Sequence, residues 1–302
     1  MKQGRLSNSR HARLDDSSIL IVGGDSSIGQ SLKHALEGGG QRVLETTRHT
    51  LKVSATKLFL DLSQDERNWT LPPIPAKTAV ICAAITSLEK CQTIAESSRL
   101  VNVANTVALA KRLLDSGTFV IFLSSNAVFD GETPFAKSSS PVNSQTEYGR
   151  QKSETEKKLL ALDDRVAIVR LSKVITPNMP LFLGWIRQLR QGKVIHPILN
   201  MVMSPVWVGC VVEVLKMLSD KQLSMLVHFS ANQDITYYET ASYLAIKLGL
   251  DQDLISPISS ADKGIHAPPK FTTLDCSEME GLGYDAPTPL EALDRFLEHC
   301  RP

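Results

Sequence analysis

Tyr148 and Lys152 stand four residues apart in Tyr-Gly-Arg-Gln-Lys, at the head of a stretch rich in Lys and Glu. On a helix that spacing puts both side chains on one face, one turn apart. A free phenol has a pKa of about 10. An ammonium group beside it favours the phenolate, lowers that value and prepares the tyrosine for proton transfer near neutrality. The pair alone means little, because Tyr-x-x-x-Lys recurs by chance in many helices. Ser124-Ser125, upstream at the carboxyl end of the apolar run Phe119–Leu123, adds weight. That end of a parallel strand is where open α/β sheets place ligands. A hydroxyl there could hold a carbonyl oxygen beside Tyr148, so the set Ser125, Tyr148 and Lys152 points to carbonyl oxidation or reduction.

A second group of residues suits a phosphate. Gly23-Gly24-Asp25-Ser26-Ser27-Ile28-Gly29 follows a short apolar run and precedes apolar positions at helical spacing. Backbone N–H groups at a helix N-terminus bind pyrophosphate where small residues let it approach. Gly23 and Gly29 take the outer places of a Gly-x-x-Gly-x-x-Gly pattern; Ser26 replaces the middle glycine, and its hydroxyl could itself bond a phosphate. The next strand ends in Thr46-Thr47-Arg48. An acidic residue there would grip the ribose 2′-hydroxyl of NAD, whereas Arg accommodates a 2′-phosphate. Thr47 holds the matching register and Arg48 favours NADP(H), with NAD(H) as the alternative.

The elements that must position these groups alternate along the chain. Runs at Ser18–Val22, Arg42–Thr47, Lys57–Leu62, Thr78–Ala84, Phe119–Leu123 and Val166–Leu171 read as strands. Helical patterns lie between them at Ile28–Leu36, Ala95–Ser116 and Tyr148–Leu162. The alternation predicts an α/β fold, a Rossmann-type doubly wound parallel sheet. After about Pro177 the rhythm loosens into helical pieces at Leu181–Gln191, Gly209–Leu218, Tyr237–Leu248 and Pro289–His299, separated by Pro-containing segments. The expected organisation is a polar, basic tail over 1–16, a dinucleotide-binding domain over 17–176, and a smaller C-terminal substrate-binding lobe over 177–302 with some segments returning to the sheet. With 302 residues, 42% hydrophobic, 22% charged and a net charge of +1, the chain carries no mark of a nucleic-acid or membrane-surface binder. Five dispersed cysteines without Cys-x-x-Cys spacing or a His cluster predict no metal site and a reducing compartment, the cytoplasm.

With these residues in order, the sequence resembles the extended short-chain dehydrogenases/reductases, most closely the dTDP-4-dehydrorhamnose reductase group. Ser124-Ser125-Asn126-Ala127-Val128-Phe129-Asp130-Gly131 is similar to that group's Ser-Thr-Asp-Tyr-Val-Phe-Asp-Gly segment. Ser125, Tyr148 and Lys152 match its catalytic positions. Asp61-Leu62 resembles its adenine-contacting pair, Cys82-Ala83-Ala84 its Asn-Ala-Ala beside the cofactor, and Asn102-Val103 another recurring pair. Further on, Val202-Met203-Ser204-Pro205-Val206-Trp207-Val208 and His228-Phe229-Ser230 followed by Thr236-Tyr237-Tyr238-Glu239 match more loosely. Ser26, Cys82, Ala127 and Ala267-Pro268-Pro269 depart from the group's pattern. The resemblance implies a hydride-transferring enzyme acting on a nucleotide-sugar, with the stretch from Leu171 to Val174 flanking the nicotinamide and a homodimer as its assembly. It further implies that Asn126, Trp185 and Trp207 face the substrate, although each tryptophan could equally be packing. Two other readings share these residues. One is a nucleotide-sugar epimerase or dehydratase, which Asn126-Ala127 disfavours because dehydratases carry an acidic pair there. The other is a non-catalytic, NADP-binding regulatory subunit.

Overall fold

The computed structural model describes residues 18–69 and 76–300, so the expectation for residues 1–16 lies outside the described residues. Strands β1 (Ile19–Val22), β2 (Val43–Thr47), β3 (Lys57–Phe59), β4 (Thr78–Ile81), β5 (Phe119–Ser125) and β6 (Val166–Leu171) are followed by β7 (Lys173–Ile175), β8 (Val202–Met203), β9 (Pro205–Trp207), β10 (Leu226–Phe229) and β11 (Ile235–Thr236). The helices are α1 (Ser27–Gly38), α2 (Leu88–Thr93), α3 (Ala95–Arg99), α4 (Thr106–Asp115), α5 (Glu147–Leu160), α6 (Pro180–Arg190), α7 (Val208–Lys221), α8 (Tyr237–Lys247), α9 (Ser277–Glu280) and α10 (Pro289–Glu298).

A parallel seven-stranded sheet has the order β10-β6-β5-β4-β1-β2-β3. The order in which successive strands are added reverses between β1 and β4, and ligands of such sheets bind in the crevice outside the carboxyl ends at that switch point. Strands buried on both faces read as continuous apolar runs. Side chains in β1 alternate accordingly: Ile19 and Ile21 join Leu32 and Leu36 of α1 and Val211 and Leu215 of α7, while Leu20 and Val22 join Leu109 and Leu113 of α4 and Leu159 of α5. A third core unites Phe182, Trp185 and Leu189 of α6 with Leu244 of α8 and Leu293 and Phe296 of α10, forming the C-terminal lobe. The lobe is interleaved with the sheet, because α7 and β10 follow α6 yet pack on the sheet's own core.

The helical pattern over Ala95–Ser116 resolves into three pieces, α3, a π-helical turn at Leu100–Asn105, and α4. Asn102 sits in the wide turn and turns its amide onto the loop after β4: Nδ2 donates to the Ile85 carbonyl at 2.9 Å, and Oδ1 accepts from Ile85 N–H at 2.8 Å. Such bulges accompany functional sites because they re-aim one side chain without ending the helix.

Beneath the sheet's carboxyl edge lies a buried charge network. Arg170 of β6 and Glu156 of α5 pair through several contacts of 2.7–3.2 Å, each side chain 4% exposed. Arg170 also donates to the Ser138 carbonyl and to Nε2 of His228, each at 3.2 Å. Because Nε2 must accept from a guanidinium, Nδ1 carries the proton and donates to the Asp275 carbonyl at 3.1 Å. Burial, reinforced by Arg170, pushes the His228 imidazole down to about 4, against the opposing pull of Glu278. The folded protein therefore holds His228 neutral in a range where the unfolded chain binds a proton. Stability is complete above pH 6.5 and is lost as pH falls toward 4, by an amount on the order of 3 kcal/mol. Urea midpoints measured across this window should fall in the wild type and flatten in His228→Gln; a level wild-type profile would contradict the assignment.

Candidate active site

Helix α5 is aimed by its first turn. Thr146 caps it, accepting from Gly149 N–H at 3.1 Å. A Cβ at Gly149 would overlap the Ala127 carbonyl oxygen, so only glycine lets the helix start this close to the 126–128 turn. That approach brings Tyr148 to Ser125 at the end of β5, whose hydroxyl hydrogen-bonds the phenol and accepts from Ala127 N–H at 3.1 Å. One turn on, Lys152 is buried, donates to the Leu123 carbonyl at 2.8 Å and lies 4.4 Å from the Phe122 ring centre and 5.8 Å from that of Tyr148. The three residues singled out by spacing meet at one point.

The electrostatics correct one expectation. Burial pushes the Tyr148 phenol above its usual value and Cys91 adds to this, while the bond to Ser125 only partly offsets it. Lys152 donates to a backbone carbonyl, and burial, not the ammonium, sets the direction of the tyrosine's shift. Burial pushes Lys152 itself down to about 8, with Glu156 the main opposing charge. Tyr148 is thus held as a protonated phenol, the form that gives a proton.

The glycine turn has the form a pyrophosphate needs. Gly23 adopts φ +86°, and a Cβ there would lie 2.8 Å from Ala83, so the turn fits flush against the end of β4. Ser26 caps α1, its Oγ accepting from Gly29 N–H at 3.0 Å, and its hydroxyl also bonds Cys82. The serine in the middle-glycine position is therefore committed inside the protein. The amides of Ser27 and Ile28, in the first turn of α1, have no intrahelical acceptor and could hold an anion. Cys82 is buried enough to push its thiol up to about 12, which leaves it a filler at the strand end.

At the end of β2 the acidic function comes from an unexpected place. Thr47 is buried and its hydroxyl donates to Asp25 of the turn, which also pairs with Lys52 at 3.1 Å and Lys57 at 3.0 Å. Burial raises the Asp25 pKa, but Thr47, Lys57 and Lys52 outweigh it and hold the carboxyl well below its ordinary range. Lys57 also pairs with the buried Glu45 at 3.3 Å. Arg48 is exposed beside this cluster. Asp61 accepts from the Ser63 amide and hydroxyl, and Leu62 is buried with its carbonyl bonded by Asn105.

A cavity of about 480 Å³ opens over Tyr148, walled by Ser125, Asn126, Phe129, Lys173, Val174, Met203, Tyr237 and Phe271 among others. Asn126 and Val174 are among its walls. Trp185 and Trp207 are not among its walls. Trp185 is 7% exposed, stacked on Phe182 in the lobe core, and Trp207 packs on His299 at 5.2 Å between ring centres. Their apolar area serves packing. Asn102 likewise is buried with its amide spent on Ile85 and Gln151, so it shapes the 82–86 loop from behind. Lys173 and Tyr237 of the cavity wall were not singled out by spacing; a lysine between the apolar runs Val166–Leu171 and Val174–Ile175 was the available signal.

A doubly wound sheet with a glycine turn at its switch point and a Ser–Tyr–Lys set at its carboxyl edge is the arrangement that the resemblance to extended short-chain dehydrogenases/reductases implies. The chain belongs to the family described as the RmlD substrate binding domain, whose model matches residues 17–301. Its fold is similar to that of a dTDP-4-dehydrorhamnose reductase from Bacillus anthracis solved in complex with NADP, with a TM-score of 0.81 at 18% identity over 93% of this chain and 98% of that one. MoeE5 in complex with UDP-glucuronic acid and NAD superposes with a TM-score of 0.77 at 21% identity over 94% and 99%. Among curated relatives, the methionine adenosyltransferase 2 subunit beta of Xenopus tropicalis is 27% identical over 226 residues, 69% of this chain and 65% of that protein. The chain thus spans just under two thirds of the length of that relative. A dTDP-4-keto-6-deoxy-D-glucose reductase of Streptomyces niveus is 26% identical over 84% of this chain and 87% of that protein. No helix among the described residues is long and apolar enough to cross a membrane, and no cluster among them could hold a metal ion.

If Arg48 reads a 2′-phosphate, Arg48→Ala should weaken NADPH about tenfold, the worth of one charge-assisted bond, and leave NADH unchanged. Fluorescence titration with both reduced cofactors decides it; equal losses would mean that Arg48 supports only the turn.

Proposed function

We propose that this protein is an NADPH-dependent reductase of a keto group on a nucleotide-linked sugar, with Tyr148 as proton donor. The observation that carries the reading is that Ser125 and Tyr148 wall one cavity while Lys152 lies buried 5.8 Å from the Tyr148 ring centre. A reduced nicotinamide, when bound, supplies the hydride. Gly23 to Gly29 would hold its pyrophosphate on the first-turn amides of α1, and Val174 would flank its ring. Ser125 orients the substrate carbonyl by hydrogen bonding its oxygen. Tyr148, kept protonated by burial, delivers the proton to that oxygen as charge builds there. Lys152 remains charged below about pH 8 and stabilises the phenolate left behind. An epimerase or dehydratase would use the same core, but Asn126 and Ala127 occupy the place of the acidic pair that a dehydratase needs.

A second reading rests on the relatives named subunit beta of methionine adenosyltransferase 2: an NADP-binding regulatory subunit. The cavity over an assembled Ser–Tyr–Lys set favours the enzyme. Purified protein with NADPH and a dTDP-4-keto-6-deoxyhexose should oxidise the cofactor, followed by its absorbance, and Tyr148→Phe should lower kcat by about 10²–10⁴-fold. Binding of NADPH without turnover of any keto-sugar would favour the regulatory subunit. The reductase rate should stay level below about pH 8 and fall above it as Lys152 loses its proton; a rate that climbs with pH would place the phenolate, not the phenol, in the productive state.

A further inference from the structure

The cavity wall contains two charged residues, Asp130 and Lys173, and they are not equivalent. Asp130 is occupied: its carboxylate accepts from Glu132 N–H at 2.9 Å and from the Asn143 side chain at 2.5 Å. Lys173 has no carboxylate within ion-pair distance and no hydrogen-bond acceptor for its ammonium group among the described residues. It is half-buried, and burial alone pushes its pKa down. An ammonium withdrawn from water without a partner costs stability, and a cavity is where that cost can be recovered by a ligand.

Its place in the fold says which part of a ligand it meets. β5 and β6 pair with Ser125 opposite Leu171, so Lys173, two residues on, emerges at the same sheet edge as the reacting hydroxyl. The crossing is fixed there, because the Ser172 hydroxyl donates to the Ser204 carbonyl and β7 pairs with β9 through Lys173 and Pro205. Tyr237 also borders the cavity, at the head of α8, with no partner for its hydroxyl among the described residues. Phe129, Met203, Pro269 and Phe271 add apolar area to the same cavity, which lowers the dielectric around a charge pair.

We propose that Lys173 is a specificity residue for an acidic substrate: the sugar reduced here carries a carboxylate near the reacting carbonyl, held by the Lys173 ammonium with the Tyr237 hydroxyl as second donor. This rests on the cavity being the sugar site of the proposed reductase. UDP-glucuronate and UDP-glucose, which differ by that one carboxylate, are the probes, titrated by calorimetry into the NADP-loaded full chain. The wild type should bind UDP-glucuronate at least tenfold more tightly than UDP-glucose. Lys173→Met should bring the ratio near one without lowering the melting temperature, since a partnerless charge is removed, and Lys173→Arg should keep most of the preference. Equal affinities in the wild type, binding of neither, or an unchanged ratio in Lys173→Met would overturn the proposal. An equal loss for both probes would overturn it too, by assigning the lysine to the diphosphate. Preference for UDP-glucuronate with no turnover of any keto-sugar would leave the anion site standing and remove only the reductase reading.

Discussion

The arrangement depends most on one buried ion pair, Arg170 with Glu156. Each side chain is nearly sealed from water, and the pair joins β6 to α5 where the catalytic helix must be held. Removing one partner of such a pair costs about 3–5 kcal/mol, because the other charge is left buried and alone. The guanidinium is satisfied further by the Ser138 carbonyl and by His228 of β10, and Phe129 lies over it at 5.0 Å. Four segments distant in sequence therefore share one charge centre. Phe129 is also a cavity wall, and Glu156 lies one turn beyond Lys152 on the same helix face, so the pair sets both the floor and the side of the site.

Low water content around that centre governs the chemistry of the neighbours. In water a tyrosine beside a lysine would drift toward the phenolate; here the desolvation of both groups moves them the other way, the phenol up and the ammonium down. The same desolvation that makes Lys173 costly when alone would make it selective when paired, since an ion pair in a poorly hydrated pocket discriminates more strongly than one at the surface.

Much of the fold was legible from alternation alone. Val166–Leu171 is a strand with the bounds its apolar run suggests, and the other buried strands differ by a residue or a few at their ends. The meeting of Tyr148 with Lys152 followed from helical spacing, and their meeting with Ser125 from the rule that ligands gather at carboxyl ends of strands. Four things were not legible. The π-helical turn is hidden because apolar periodicity does not record which carbonyl each amide chooses, and Asn102 reads as one more helix residue. The sign of the Tyr148 shift depends on burial, which spacing does not contain. Trp185 and Trp207 suit a ligand stack and a core equally well by type, and the lobe's need for apolar volume decided between them. Asp25 is similar: nothing in the glycine turn announces that its carboxylate will lie against Thr47 at the end of the neighbouring strand.

Interleaving of lobe and sheet has a kinetic consequence. β10 lies beside β6, yet the chain between them builds β7, α6, β8, β9 and α7 before returning. During synthesis the first six strands can associate, but β6 stays an unpaired edge and Arg170 lacks its histidine until Leu226–Phe229 has left the ribosome. Contacts this far apart in sequence form late, and an open apolar edge invites association with other chains while it waits. The nascent chain is thus most vulnerable to aggregation when most of the dinucleotide-binding half is already made, which marks that interval as the one in which a chaperone would have the greatest effect on yield.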